Sequence, residues 1–395
     1  MNHYTIPLVY IFVFLPISAL CLLAVACCVQ DILRERCAPT LAPGGVPTVQ
    51  PLISVLIPAR DEAERIGACL AGLAGQSYRN FELWVGDDHS VDGTAAIVHS
   101  YAAQLPALKV LPIAALPAGW AGKCWACWQA AGRARGDWLL FLDADVIPGP
   151  ELLAALLARA ESRSLDLLTL MPFQQLGSLA ERVIMPAFFA LLYSLYPLDQ
   201  VSDPRSPLAF ANGQCLLIRR EVYFASGGHQ AVRASILEDT DLGRMVKAAG
   251  YRLEAAAAPD LIAARMYDGW ASLAEGLGKN AVAGYRSGGT RSGWVGARLA
   301  LGAFLPGCLL LAGALLALAR PGAMIGALML LHGAVLAAFE LACWCWITRR
   351  RYRIAPWWGA LFPFGLAIYF WLAARALLRL RSGRGVMWKG RTFKM

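Results

Sequence analysis

Two carboxylates one residue apart, Asp143 and Asp145, follow the apolar run from Trp138 to Leu142. Hard divalent cations such as Mg²⁺ or Mn²⁺ prefer oxygen ligands and usually take only one or two from protein, leaving room for phosphate and water. An Asp-x-Asp at a strand end therefore suits a cation that carries a diphosphate. The same pair also serves as a turn that caps a following helix. Two further polar groups stand in comparable positions, Arg60 to Glu62 after Ile53 to Ile57, and Asp87 to Asp92 after Phe81 to Val85.

The runs that carry these groups read as strands. Ile53 to Ile57 is β-branched and apolar, and is expected to stop at Pro58; a helical pattern then runs to about Gly75. Phe81 to Val85 and Leu108 to Pro112 follow as second and third strands, with helical patterns between. Strands alternating with helices imply a mostly parallel, doubly wound α/β sheet. In such sheets ligands bind beyond the carboxyl ends of the strands, and all three groups fall there. Their convergence on one edge is more specific than any one of them.

With 58% hydrophobic and 16% charged residues in a chain of 395, this sequence is more apolar than soluble proteins, in which charged residues make up about 25%. Apolar stretches at Pro7 to Val29 and near 296–319, 322–347 and 356–378 each approach the ~20 residues that span a bilayer. The reading is an N-terminal transmembrane anchor at 1–30, a linker at 31–50 and a catalytic-sized domain at 51–290 with an interfacial segment at 181–200. About three transmembrane segments at 291–380 and a basic tail at 381–395 complete it. The first stretch reads as a retained anchor rather than a signal peptide, because only His3 precedes it and no small-x-small cleavage site follows.

Arg34 and Arg36 follow the anchor, and Arg286, Arg291 and Arg298 precede the next stretch. The positive-inside bias then places the domain in the cytoplasm, on an inner (plasma) membrane. The net charge of +9 is mostly juxtamembrane, and no aromatic-basic interleaving argues for nucleic acid. The far end is ambiguous. Arg349, Arg350, Arg351 and Arg353 precede the last apolar segment, while Arg379, Arg381, Arg384, Lys389, Arg391 and Lys394 follow it. A single pass would put one cluster outside; Pro356 and Pro363 leave open a kinked or re-entrant hairpin that returns the tail.

Cys21, Cys27, Cys28, Cys308, Cys343 and Cys345 lie in apolar stretches, where Cys acts as a small hydrophobe. Cys124 and Cys127 form a C-x-x-C without a second half, which reads as helix packing rather than redox chemistry. His89 and His229 have no second His at ligand spacing and read as loop residues.

The segments ISVLIPARDEAERI, WVGDDHSVDGT, GWAGKCWACWQA, DWLLFLDADV and ILEDTDLGRMVKAAG span residues 53 to 250. In content and order they resemble membrane-associated family 2 glycosyltransferases of GT-A fold. The resemblance implies a Rossmann-like, mostly parallel sheet domain with N-terminal and C-terminal transmembrane helices. It implies nucleotide-sugar binding by Pro58, Arg60, Asp61, Glu62, Asp87, Asp88, Lys123 and Asp143, with Asp61, Glu62 and Asp88 on uracil and ribose. Asp145, with Asp143, would hold Mg²⁺ or Mn²⁺, and Asp239, next to Glu238, would take the proton of the acceptor hydroxyl. With one base and one metal, a single displacement that inverts the anomeric centre is expected. The alternative for Glu238, Asp239 and Asp241 is a cap on the helix ending at Gly250, since acids favour a first turn.

The Gln/Arg-x-x-Arg-Trp box of processive members and ceramide glucosyltransferases is absent from 250–300. That speaks against long-chain polysaccharide synthesis. The segments ALLYSLYPLDQVSDPRSPLAFANGQCLLIRR and WKGRTF are similar to bacterial transferases associated with carotenoid and hopanoid pathways. Residues 183–198 are apolar on nearly every face but too short to span, and read either as an interfacial helix that guides a lipid acceptor or as a buried core helix. Phe188, Phe189 and Leu192 of that segment, with Gly213, Gln214 and Arg265, are assigned to the acceptor side. The expected partners are a nucleotide sugar, a lipid acceptor and the bilayer. Rival readings are transfer to a sphingolipid, glycerolipid or polyprenyl phosphate, and an inactive lipid-binding protein on the same fold.

Overall fold

The structure is a computed structural model and describes residues 15–321, 324–383, 385–388 and 391–393. The start of the expected anchor, residues 1–14, and Arg384, Lys389 and Lys394 of the tail lie outside the described residues. The chain begins with α1 (Leu15–Cys37), β1 (Ile53–Ala59), α2 (Ile66–Ala74), β2 (Phe81–Asp87) and β3 (Leu108–Pro112). Next come α3 (Gly122–Arg133), β4 (Trp138–Leu142), β5 (Val146–Pro148), β6 (Leu167–Met171), β7 (Phe173–Gln174) and α4 (Leu179–Leu195). They are followed by β8 (Cys215–Arg219), α5 (Glu238–Ala248), β9 (Leu253–Ala257) and β10 (Ile262–Ala264). The long helices α6 (Trp270–Ala319), α7 (Met324–Tyr352) and α8 (Phe362–Arg381) close the sequence of main elements.

Two compact units emerge. The sheet unit comprises Ala38–Gln175 and Tyr196–Met266, and the helical unit Met1–Cys37, Leu176–Leu195 and Tyr267–Met395. In the sheet unit a seven-stranded sheet has the order β3-β2-β1-β4-β8-β6-β9. β1 pairs in parallel with β2 and β4, and β8 runs antiparallel to both β4 and β6. A small second sheet, β5-β10-β7, lies beside the chain that leaves β4. The first four strands read in sequence are all in this sheet. The central strands β1, β4 and β6 are covered on both faces, so Val55, Ile57, Leu140, Leu142 and Leu168 are fully buried, while β3 at the sheet edge is only partly buried. Each such side chain contributes roughly 1.5–3 kcal/mol by leaving water.

β1 does not stop at Pro58 as expected but runs to Ala59, with Pro58 opposite Gly86. The ladder to β4 ends at Leu56↔Phe141, so beyond Leu56 this strand is an edge on that side, where a residue without an N–H is tolerated. The chain before β1 is also more ordered than its Pro and Gly content suggests. α1 continues to Cys37, the Leu41 N–H donates to the Ala257 carbonyl, and the Gly44 and Thr48 N–H groups donate to Glu151 and Glu161.

Glu82 ties three strands together from a buried position on β2. Its Oε1 accepts from the Ser54 hydroxyl and the Arg135 N–H, both at 2.7 Å, while Ser54 Oγ accepts from the Gly136 N–H at 2.8 Å. Burial alone would raise the Glu82 pKa, but the bonds from Arg135, Ser54 and Lys109 outweigh it and hold the carboxyl below its ordinary value. Its contribution is therefore present above the unfolded glutamate pKa and lost as pH falls through the lowered folded value. Glu82→Ala is expected to cost on the order of 1–3 kcal/mol at pH 7, since it strands buried donors. Thermal unfolding of the two proteins across pH should show the gap closing in acid; a constant gap would mean that the charge plays no part.

In the helical unit, Gly289 (φ 53°, ψ −137°) breaks α6 into two helices, 270–288 and 290–319. Among the described residues four helices are long and apolar enough to cross a membrane: Leu179–Ser202, Gly289–Ala319, Met324–Tyr352 and Pro356–Arg381. The first corrects the reading of 183–198 as too short to span, because the helical stretch extends beyond those residues at both ends. Gly313, Gly326 and Gly333 let α6 and α7 pack backbone to backbone: a Cβ at Gly333 would lie 2.9 Å from the Leu310 nitrogen. α1 joins them through Cys21, which clusters with Leu309 and Leu336.

Candidate functional site

Beyond the carboxyl ends of β1 and β4 lies a small cleft lined by Pro58, Lys123, Asp143, Gly213, Glu238 and Asp239, among others. The first two loops are cross-braced. The Asp61 N–H donates to Ser90 Oγ and its Oδ1 accepts from the Val91 N–H, while the Glu62 N–H donates to Thr94 Oγ1. Asp92 joins the loops through the Ala63 and Thr94 N–H groups. Asp61 (φ 52°) and His89 (φ 60°) take left-handed backbone conformations, which Asp and His tolerate better than most residues. Asp88 is buried and faces Arg60 Nη1 at 3.6 Å, and Asp87 Oδ1 accepts from the Ser90 N–H.

Lys123, in the first turn of α3, bridges elements far apart in the chain. Its ammonium lies 2.8 Å from Asp143 Oδ1 and 2.9 Å from Glu238 Oε1. Burial opposes the charge, but Asp143, Glu238 and Asp239 outweigh it and hold Lys123 firmly protonated. Asp239 opens α5, and both its oxygens are held by main chain: the Gly213 N–H donates to Oδ2 at 2.6 Å and the Thr240 N–H to Oδ1 at 2.7 Å. Burial, and then the neighbouring Glu238, push its pKa up to about 7. Asp241 differs from its neighbours, since it accepts from Ser235 Oγ and pairs with Arg244 at the start of the same helix.

Asp145 is raised to about 7 as well, first by burial and then by Asp143 and Glu62. Its Oδ1 is buried and makes no hydrogen bond. A buried acceptor left bare costs roughly 1–3 kcal/mol, and a carboxylate repelled by two others is a natural cation ligand. Among the described residues no group of three or more His, Cys, Asp or Glu side chains could hold a metal alone. Asp143 and Asp145 therefore fit a cation that draws its other ligands from substrate phosphate and water, which is the habit of Mg²⁺.

Gly213 sits where a side chain does not fit. A Cβ there would lie 2.9 Å from Lys123 Nζ and 3.2 Å from Asp239 Oδ2. Gly213→Ala is expected to displace the flexible lysine tip rather than unfold the sheet, lowering turnover ~10- to 100-fold, since catalysis is sensitive to shifts of an ångström. An unchanged unfolding midpoint with reduced turnover would bear this out; unchanged turnover would show that Lys123 and Asp239 tolerate movement.

Gln214 is buried beside Gly213; its Oε1 accepts from Gln174 and Asn212, and its Nε2 is buried without a partner. Arg265 follows β10. Phe188, Phe189 and Leu192 lie on α4 in the helical unit, where Phe188 meets Tyr369 and Phe189 meets Tyr352. His229, read from the sequence as a loop residue, lies instead in the short helix Gly228–Ala231, is buried and lines the cleft. It lies against Phe141 with ring centroids 4.8 Å apart and bonds through Nδ1 to the Tyr223 hydroxyl. Burial lowers its pKa to about 4, so it is neutral near pH 7. The one feature of the sequence near it is the preceding Gly227-Gly228 pair, and the structure gives both glycines positive φ. Cys124 and Cys127 are free, buried thiols of α3.

The mostly parallel sheet carries acidic groups beyond its strand ends and a helix-borne carboxylate, and comparisons with known proteins identify the family. Residues 50–268 match the family model described as "Glycosyltransferase like family 2", and the chain belongs to that family. It is 29% identical over 244 residues to a 4,4'-diaponeurosporenoate glycosyltransferase of Staphylococcus aureus (strain MRSA252), covering 60% of this chain and 62% of that protein. The Staphylococcus haemolyticus (strain JCSC1435) protein of the same name is 28% identical over 240 residues, with the same coverage. The match thus spans under two thirds of these relatives. Among solved structures, the mannosyltransferase PcManGT from Pyrobaculum calidifontis, in complex with GDP-Man and Mn²⁺, superposes with a TM-score of 0.52 at 20% identity. That superposition covers 90% of this chain and 99% of the other and shows a shared GT-A-type fold.

Proposed function

We propose that this protein is a membrane-bound, inverting glycosyltransferase that moves one sugar from a nucleotide sugar, a UDP-sugar, to a carotenoid-type or related isoprenoid lipid. The observation that carries the reading is the pairing of Asp239, held by two main-chain N–H groups with a pKa of about 7, with the Lys123–Asp143–Glu238 cluster in one cleft. The apolar helices and the names of the relatives support a lipid acceptor at the membrane. Basic residues at the ends of these helices support a cytoplasm-facing domain, where nucleotide sugars are made.

In this reading the braced loops at Asp61, Glu62 and Asp88 hold the nucleoside. Lys123 places positive charge beside the diphosphate and screens Glu238 and Asp143 from one another. A divalent cation at Asp143 and Asp145 supplies charge neutralisation to the departing diphosphate when bound. Asp239 accepts the proton of the acceptor hydroxyl as its oxygen attacks the anomeric carbon opposite the diphosphate; the carbon–oxygen bond to phosphate breaks and the centre inverts. Neutral His229 and Phe141, in contact with each other, add an uncharged part to the lining of the same cleft. A carboxylate acceptor is the second reading, favoured by the acid denoted in the relatives' names, and it needs no base because it is already ionised.

The test is transfer of radiolabel from a UDP-sugar into the lipid-extractable fraction, with hydroxylated and carboxylated carotenoids offered separately and GDP-mannose as competing donor. Label in lipid, an inverted anomeric centre by NMR, and poor use of soluble sugars are expected. Nucleotide binding without any transfer would favour the inactive lipid-binding reading.

A further inference from the structure

Not every apolar helix of the helical unit takes a path that crosses a membrane. α6 from Arg298 to Ala319 is about 33 Å long at 1.5 Å per residue, enough for the ~30 Å hydrocarbon core. It packs along its length on α7 and on α1. One end of this trio is marked by charge. Arg298 pairs with Asp31 of α1 at 2.7 Å and donates to Ser194 Oγ of α4 at 2.7 Å, while Arg351 of α7 pairs with Glu35 of α1 and stacks on Tyr193. Paired charges are costly at the bilayer centre and belong at its surface, so this ring marks the headgroup level of one leaflet. Apolar packing of Cys21, Leu309 and Leu336 lies on the other side of the ring, within the crossing.

The chain after Tyr352 turns back at this ring. The 3₁₀ turn Pro356–Leu361 lies along the last turns of α7: a Cβ on Gly359 would fall 2.5 Å from the backbone of Trp344 and Cys345, and Phe362 stacks on Trp344. From that start α8 passes Gly296 through Phe370, two residues before Arg298. It ends beside Gly278 and Val282 through Ala376, Leu377 and Leu380. Those partners lie upstream of the Gly289 break, on the part of α6 that precedes the crossing. Along its other side α8 packs on α4, where Tyr369 meets Phe188 and Gly365 meets the Val183 backbone. The helix therefore leads away from the crossing half of α6.

The outward face of α8 has its own pattern. Phe364, Trp371 and Leu378 recur every seven residues and are more than half exposed, as is Trp357 just before the helix. Arg375, Arg379 and Arg381 stand exposed at its C-terminal end, with Arg375 over the Trp371 ring. Tryptophan beside arginine is the composition of an interfacial belt that meets acyl chains on one side and anionic headgroups on the other.

We propose that residues 356–381 do not cross the membrane but form a re-entrant, interfacial element in one leaflet, its aromatic stripe among the acyl chains and its arginines on anionic headgroups. The carboxyl-terminal tail then emerges on the face where α1 ends. Arg34, Arg36, Arg349 to Arg351 and the arginines of α8 all lie on that face, so the conflict between the two basic clusters around the last segment disappears. This concerns the helical unit alone and does not depend on the reaction proposed above.

The test is sidedness in intact and inverted membrane vesicles. Native Cys37, exposed at the end of α1, serves as the reference for one face. In a full-length Cys37→Ser, Cys308→Ser background, Ser382→Cys and Arg320→Cys are each exposed to a membrane-impermeant maleimide. The expected result is that Ser382→Cys labels in the vesicle orientation that labels Cys37, and Arg320→Cys only in the opposite one. Labelling of Ser382→Cys together with Arg320→Cys would overturn the proposal. As a second readout that needs no labelling, alkaline phosphatase and a fluorescent protein are fused in turn after Met395. Their activities must report the Cys37 side; the opposite side would show that α8 crosses.

Discussion

Asp239→Asn is expected to lower transfer to a hydroxyl acceptor by ~10²-fold or more, the usual worth of a positioned general base. The change keeps the volume of the side chain, and Oδ1 still accepts one of the two N–H bonds that hold Asp239. Nucleotide affinity should therefore survive. In the wild type the rate should rise with pH through about 7, because the base works only when deprotonated and burial beside Glu238 places its pKa there. With the carboxylated carotenoid the same substitution should cost much less, since that acceptor has no proton to give up. The pair of measurements thus separates the two acceptor readings. Equal, small losses with both acceptors would place the base elsewhere, with Glu238 the next candidate.

Chelation of divalent cations should abolish transfer, and Asp145→Ala should do nearly the same. A readout besides activity comes from stability. Asp145 has its pKa raised to about 7, so in metal-free protein its carboxyl favours the protonated form. The associated stability is fully present below the ordinary aspartate pKa of about 3.9 and is lost as pH rises through about 7. At pH 8, Mn²⁺ or Mg²⁺ should restore it, by about 2.7 kcal/mol when the cation is at 100 times its Kd. Asp145→Ala should be insensitive to the cation and no less stable than metal-free wild type. Turnover in excess chelator, or an equal cation-induced shift in both proteins, would remove the metal from this site.

The strands and their acidic ends were legible because strand formation here is a local matter. Val55, Ile57 and the run from Trp138 to Leu142 are apolar on both faces and bounded by turn residues, a pattern that a buried parallel strand requires. The family 2 membership was legible for the same reason, since its motifs are short and contiguous. The extension of β1 through Pro58 was not, because whether a proline is tolerated depends on where the neighbouring ladder ends. His229 was read as a loop residue because its burial arises from Phe141 and Tyr223, remote or unremarkable in the sequence.

Composition and hydropathy alone determined that the chain carries a parallel-sheet domain and helices apolar enough for a membrane, because both depend on residue type and period. Only the tertiary structure decided that Lys123 joins Asp143 to Glu238, residues 95 positions apart, and that Gly213 turns its N–H on Asp239. Such meetings follow from the strand order β1-β4-β8, which hydropathy does not encode. The path of the last apolar helix belongs to the same category. Its length and hydropathy suit a crossing, and what sets its course is the company of Trp344, Gly296 and Val282, contacts made by residues distant in the chain.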